Sequence, residues 1–307
     1  MKAVLRDRIR GCVVGAAVGD ALGMSLEFGP KIPPTALVRE MASKRLPAGT
    51  FTDDTEMALA LSESLLAHQP LDPADLADRF VAWVRCNPPD VGIHTGSVLG
   101  RIAAGEPWDQ VAENVLRTRP NSAGNGSMMR CWPVAVAYWD DLDLLVSESK
   151  LQSRVTHPHP DCVEGCAFVN SAIYYLFRGL LPAEAIARAM THANLSPEMQ
   201  DRIRSAPQRP REALENSGWV QHAVESVIWG IRTWDSFEEI VVQVANLGND
   251  ADTSAAIVGA LAGAAFGLSA IPERWLAKLH GEWPLRSGTI WRTEDLISLA
   301  DRLADTN

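Results

Sequence analysis

The chain has 307 residues, 47% of them hydrophobic, and a formal net charge of −10 at pH 7. That length carries one large domain or two small ones with a sizeable core, and the negative balance excludes a general nucleic-acid or anionic-membrane binder. No apolar run is long enough to span a membrane, and the five cysteines (Cys12, Cys86, Cys131, Cys162, Cys166) are an odd, scattered set that reads as small core residues in a reducing cytoplasm rather than a disulfide frame.

The N-terminus has no signal-peptide layout, and the first expected element is a helix from Arg6 to Phe28. Gly11, Gly15, Gly19 and Gly23 recur along it at every fourth position. Each glycine weakens a helix by roughly 1 kcal/mol, so the series predicts close packing by another backbone. Asp20 and Glu27 share a face two turns apart. Asp20 reads equally as a buried carboxylate bonded to neighbouring backbone or as a ligand, and Glu27, at an unfavourable helix end, as a functional carboxylate.

Residues 30–49 form a proline-containing loop leading into Thr52-Asp53-Asp54-Thr55 and a helix from Glu56 to Ala67. Asp72-Pro73 is a cap with proline at the first helical position, opening a helix to about Cys86. After the break at 87–92, Asp90 reads as a cap for a helix holding His94 to Ala104, and Pro107 to Leu116 is a further helix. The loop Ser122-Ala123-Gly124-Asn125-Gly126-Ser127 precedes an expected helix from Met128 to Tyr138. Its glycines allow close backbone approach to a ligand, and N–H groups at a helix start suit phosphate. It is not a Walker loop, since no Gly-Lys-Ser/Thr follows, and a plain turn is the alternative reading.

Leu142 to Val155 is helical and ends at Thr156-His157-Pro158-His159, followed by a helix with Cys162, Cys166 and Asn170 one turn apart. The spacing of His157, His159, Cys162 and Cys166 matches no common zinc pattern, which leaves core cysteines and a loop histidine, His157, able to reach a ligand. Helical spacing continues over 182–194, 197–204, 219–232 and 237–245. Then comes Leu247-Gly248-Asn249-Asp250-Ala251-Asp252-Thr253 and a proline-free apolar stretch from Ser254 to Leu268, with shorter helices over 272–280 and 293–304. No alternating strand of five residues appears. The expectation is an all-α protein of about a dozen helices, and one domain over 1–307 is the simplest way to join its two ends.

The acidic clusters around Asp53 and Asp252 both open helices, where Asp, Thr and Asn are ordinary caps. Folded together, they would concentrate four carboxylates that repel by about 1 kcal/mol per pair even at water's dielectric. A hard divalent cation removes that repulsion, and oxygen-only ligands point to Mg²⁺ or Mn²⁺ rather than zinc.

In this order, Gly11 to Gly23 with Glu27, Phe51-Thr52-Asp53-Asp54-Thr55, Gly124-Asn125-Gly126-Ser127-Met128-Met129-Arg130, Thr156-His157 and Asn246 to Thr253 resemble the ADP-ribosylglycohydrolases over nearly the whole chain. The resemblance implies a single-domain orthogonal helical bundle with a central dinuclear site. It implies two Mg²⁺ or Mn²⁺ ions held by Thr52, Asp53, Asp54, Asp250, Asp252 and Thr253. Glu27, Asp53, Asp54 and Asp252 are the implied catalytic carboxylates, with Glu27 gating entry. Gly124, Asn125, Gly126, Ser127 and Met128 form the implied diphosphate loop, with His157 nearby. Asp90 lies over the site, and Trp219 borders the leaving group where tyrosine is expected in nitrogenase-linked members. The implied activity is release of ADP-ribose from a modified side chain, arginine first among the linkages, or from a small conjugate, by a cytoplasmic monomer without membrane or nucleic-acid partners other than an ADP-ribosylated adduct. The alternatives are a module that binds ADP-ribose without cleaving it, and a hydrolase of another nucleotide or N-glycoside.

Overall fold

The computed structural model describes residues 2–305. It is all-α, with fifteen helices in order: α1 (Ala3–Gly23), α2 (Asp53–Ala67), α3 (Pro73–Arg85), α4 (Ile93–Ala103), α5 (Trp108–Thr118), α6 (Trp132–Ala137), α7 (Leu142–Arg154), α8 (Pro160–Phe177), α9 (Pro182–Ala189), α10 (Pro197–Ser205), α11 (Val220–Thr233), α12 (Phe237–Ala245), α13 (Ala251–Phe266), α14 (Glu273–Leu276) and α15 (Thr293–Ala304). The strands among the described residues are β1 (His280–Glu282) and β2 (Ile290–Arg292), an antiparallel pair with His280 opposite Arg292. One hydrophobic cluster extends from Ile9 in α1 to Ala304 in α15, and a smaller one joins α4 and α5 through Val98, Val111, Ala112 and Val115. All five cysteines are free, and all but Cys86 are buried.

The glycine series of α1 has the partner its spacing predicts. α13 runs antiparallel against it, with Gly11 facing Gly263, Gly15 facing Gly259, Gly19 facing Ala255 and Gly23 facing Ala251 and Asp252. A methyl group at Gly11 would lie 2.5 Å from the Gly263 carbonyl oxygen, and one at Gly23 would lie 2.6 Å from the Asp252 nitrogen. Both are far inside van der Waals contact. This seam carries the ends of α1 and α13 to the same place, so the acidic start of α13 lies beside the residues that follow α1.

Three boundaries differ from expectation in ways that matter for the site. α1 stops at Gly23, not at Phe28: the chain tightens as Leu26 N–H bonds the Gly23 carbonyl, and Phe28 turns back at φ 58°. Glu27 therefore sits in a turn and not on the helix face of Asp20. α6 begins at Trp132, not at Met128, because Pro133 has no N–H to donate and is accommodated only in a helix's first turn. Residues 126–130 are turns, so the glycine loop does not open directly onto a helix. Likewise α14 ends at Leu276, and His280 belongs to the small sheet.

Candidate functional site: an acidic cleft beside a glycine loop

Five helices have a side-chain N-cap hydrogen bond: Asp72 accepts from Ala74 N–H, Asp141 from Leu144, His159 from Asp161, Ser196 from Met199 and Ser236 from Glu239. The two acidic starts lack them. Thr52 before α2 and Asp250 before α13 make no side-chain cap hydrogen bond. The capping of α2 comes from another helix. Asp20 Oδ2 accepts from the backbone N–H of Thr52 (2.9 Å) and Thr55 (3.1 Å) and from the Thr55 hydroxyl (2.6 Å), while Oδ1 accepts from the Thr52 hydroxyl (2.8 Å). Four donors therefore converge on the Asp20 carboxylate, three of them on Oδ2. This leaves Asp53 and Asp54 free of the capping task.

The turn after α1 is tied to the loop before α13. Ile32 N–H bonds the Asn246 carbonyl, Phe28 N–H bonds the Asn249 carbonyl, and Asn249 N–H bonds the Gly29 carbonyl. Gly248, at φ 71°, meets the Pro30 carbonyl so closely that no side chain fits. Glu27 is thereby held against the α13 start. It joins Asp53, Asp54, Asp90, Asp250 and Asp252 around a cleft of about 420 Å³.

Arg45, from the loop before α2, reaches into these carboxylates. Its guanidinium pairs with Glu27 and lies 2.5 Å from Asp90 and 3.3 Å from Asp252. Asp90 thus faces an ion pair and is not the cap of α4, whose N-cap is Gly92. Burial, reinforced by the surrounding carboxylates, pushes Asp53, Asp54 and Asp252 well above the usual carboxylate range. Burial, with the charge of Asp90, raises Glu27 to about 7 against the opposing pull of Arg45.

These residues fit a hard cation. Asp54 Oδ1 is buried with no hydrogen-bond partner among the described residues, and an oxygen left so is costly. Its other oxygen has only long contacts, 3.4 Å to the Thr253 hydroxyl and 3.5 Å to that of Thr52. Oxygens of Glu27, Asp90 and Asp252 lie within 4.8 Å of one another. Of that trio, only Asp252 belongs to the six ligands implied by the resemblance, so the acidic wall extends further than that set.

The opposite wall is the glycine loop. Asn125 donates to Asp250 Oδ2 (2.5 Å) and takes its own backbone bond to the Gly218 carbonyl, linking loop to acidic wall. His157 is buried behind Gly124 and Gly126, and a methyl group at Gly126 would sit 3.0 Å from its Nε2. Burial, with the charges of His94 and Arg130, holds His157 well below the usual histidine range, so it is neutral.

Eleven of the expected site residues line the cleft: Glu27, Asp53, Asp54, Asp90, Gly124, Asn125, Gly126, His157, Asp250, Asp252 and Thr253. Four do not. Thr52 is held by Asp20. Ser127 points behind the loop, where Ser153 donates to its hydroxyl at 2.8 Å. Met128 is in the core, 1% exposed. Trp219 is bridged through its backbone to Gly124, but its ring packs edge-on against His222 with Arg202 over it. Arg45 carried no sequence signal beyond lying in a loop. Phe28, Ile93, His94 and Thr95 also line the cleft, Phe28 and Ile93 with strongly exposed side chains. A left-handed phenylalanine could not be read from the sequence.

The ADP-ribosylglycohydrolase family model matches residues 1–307. The chain is 32% identical over 284 residues to the ADP-ribosylarginine hydrolase Tri1 of Pseudomonas putida (strain GB-1), covering 89% of this chain and 74% of that protein. It is 32% identical over 293 residues to the ADP-ribosyl-[dinitrogen reductase] glycohydrolase of Rhodospirillum rubrum, covering 90% and 91%. A solved structure described as an ADP-ribosylglycohydrolase-related protein complex superposes with a TM-score of 0.80 at 34% identity, covering 99% of each chain.

Proposed function

Because the chain belongs to the ADP-ribosylglycohydrolase family and is a glycosidase-type hydrolase, we propose that it releases ADP-ribose from a modified arginine side chain with the help of two divalent cations, Mg²⁺ or Mn²⁺. The observation that carries the arginine assignment is Arg45. Glu27, Asp90 and Asp252 already hold a guanidinium at the cleft, which is the leaving group such a substrate presents. The name of the Pseudomonas putida relative, an ADP-ribosylarginine hydrolase, points the same way.

In this reading Thr52, Asp53, Asp54, Asp250, Asp252 and Thr253 hold the cations, with Glu27 and Asp90 at the rim. When bound, the cations supply Lewis acidity toward the ribose hydroxyls and a water. The residues of the chain do the rest. The diphosphate lies along Gly124, Asn125 and Gly126 against His157. Asp90 and Glu27 orient the leaving guanidinium by charge-assisted hydrogen bonds. As the ribose C1–N bond breaks, the positive charge that develops on the sugar is stabilised by the acidic wall. A carboxylate of Glu27, Asp53 or Asp54 accepts the proton of the attacking water, whose oxygen bonds C1 while the guanidine nitrogen regains a proton. We place this activity in a single domain over residues 1–307, in the cytoplasm, where five free cysteines are at home. No helix among the described residues is long and apolar enough to cross a membrane.

The test is release of ADP-ribose from an arginine-ADP-ribosylated protein with Mg²⁺, Mn²⁺ or EDTA. Cation-dependent release, lost together with cation binding in Asp252→Ala, is the expected result. Release that survives EDTA, or an Asp252→Ala variant that keeps both properties, overturns the site. Cleavage of serine-linked or O-acetyl substrates alone overturns the arginine assignment.

A further inference from the structure

Arg130 is fully buried and has no carboxylate partner among the described residues. Its guanidinium lies 4.2 Å from the centre of the Phe80 ring and donates to Gln152 and, at 2.7 Å, to the Thr156 hydroxyl. The Thr156 hydroxyl is itself 2.7 Å from His157 Nδ1. Thr156 is buried, and its oxygen already accepts from Arg130. If it also accepted from a protonated Nδ1, its own hydrogen would face no acceptor among the described residues, at a cost of about 1–3 kcal/mol. The arrangement that satisfies every group has Arg130 donating to Thr156 and Thr156 donating to Nδ1. Nδ1 is then unprotonated, and the remaining imidazole proton sits on Nε2, which faces the glycine loop across Gly126.

We propose that Arg130 and Thr156 are positioning residues that lock His157 as a neutral Nε2–H donor aimed at the anion held by the Gly124–Gly126 loop. His94 does not compete for this role. Its Nε2 bonds the Thr156 carbonyl at 2.8 Å, so Nε2 carries the proton and Nδ1 accepts from the Ser122 hydroxyl at 2.8 Å. Both of its nitrogens are spent on the protein. The buried guanidinium also disfavours a proton on Nδ1 by placing like charge beyond a single hydroxyl, which keeps a histidine next to an anion from becoming an imidazolium. That His157 is directed at a diphosphate rests on the functional reading above; the direction of the Arg130–Thr156–His157 chain does not.

The experiment is long-range ¹H–¹⁵N correlation on histidine-labelled full-length protein, with the His157 signals assigned by their loss in His157→Gln, alongside calorimetric titration with ADP-ribose and with adenosine. Wild-type protein is expected to show the Nε2–H form alone, and Thr156→Ser to keep it. Thr156→Val should show a mixture of tautomers and bind ADP-ribose about tenfold more weakly, with adenosine binding unchanged. A protonated Nδ1 in the wild type overturns the proposal without needing any variant to fold. So does a folded Thr156→Val variant with wild-type affinity for ADP-ribose. If the tautomers behave as expected and the wild type binds no ADP-ribose, the relay stands and the functional reading is what fails.

Discussion

The trans-cap at Asp20 yields a prediction whose size follows from its partners. Replacing Asp20 with alanine strands two backbone N–H groups at the buried start of α2, and with them the hydroxyls of Thr52 and Thr55. A buried donor without a partner costs about 1–3 kcal/mol. The hydroxyls can rotate toward other acceptors and the amides cannot, so the expected loss is about 3–5 kcal/mol, a large share of a typical domain's stability. Asparagine keeps one carbonyl oxygen where Oδ2 stands and can turn its amide toward the Thr52 oxygen. It loses the charge assistance, which roughly doubles such bonds, but relieves repulsion with Asp53 and Asp54. Asp20→Asn should therefore lose only about 1 kcal/mol and retain cation binding. Guanidinium unfolding followed by tryptophan fluorescence, with EDTA and with Mn²⁺, measures both variants. If Asp20→Asn is as unstable as Asp20→Ala, the hydrogen-bond account is wrong. If it is stable but no longer binds the cation, Asp20 is a ligand rather than a cap.

Gly23→Ala puts a methyl group 2.6 Å from the Asp252 nitrogen; overpacking of this kind costs about 1–3 kcal/mol, and calorimetry should show weaker Mn²⁺ binding as well, because the displaced residue is Asp252 itself. Arg45→Met removes the guanidinium that shares Glu27, Asp90 and Asp252 with any cation placed there; we expect a lower melting temperature in EDTA and at least about tenfold tighter Mn²⁺ binding, each tenfold step being about 1.4 kcal/mol, and an unchanged affinity would refute the competition. His157 is neutral when folded, its pKa held well below the ordinary value of 6.5. Below about pH 6.5 the unfolded chain binds a proton the native chain does not, so this residue's contribution is fully present above that pH and falls by about 1.4 kcal/mol per unit as pH drops. His157→Gln should flatten the stability profile between pH 5 and 6.5 by that slope, whatever its effect at pH 8.

The sequence made the all-α class legible because helical spacing recurs along almost the whole chain and strand alternation does not. It also exposed the pairing of α1 with another backbone, since four glycines in register have no purpose in an isolated helix. The acidic residues could be named from their positions before helices, yet their difference from ordinary caps is visible only in three dimensions. Asp20 supplies the cap that Thr52 does not, a division of labour between residues of separate elements. The same holds for Arg45, whose loop has no periodicity to read, and for Asp90, which looks like a cap by position but faces an arginine. Ser127 and Met128 adjoin the loop in sequence, but the turns before Pro133 send their side chains inward. Boundaries at Gly23 and Trp132 depend on turn geometry, which composition barely records.

The seam between α1 and α13 has a consequence for biosynthesis. Asp53 and Asp54 emerge soon after α1, whereas Asp250 and Asp252 emerge only with the helix that completes the seam. Closing so long a loop is entropically costly and slow. Until it happens, α1 carries a row of bare glycines with nothing to cover them, and the early carboxylates remain hydrated and apart. On the reading proposed above, cation capture cannot begin as the chain is threaded out of the ribosome. It waits until α13 has been made, and then arrives together with the docking of α13 on α1, so that loading of the centre reports a closed seam.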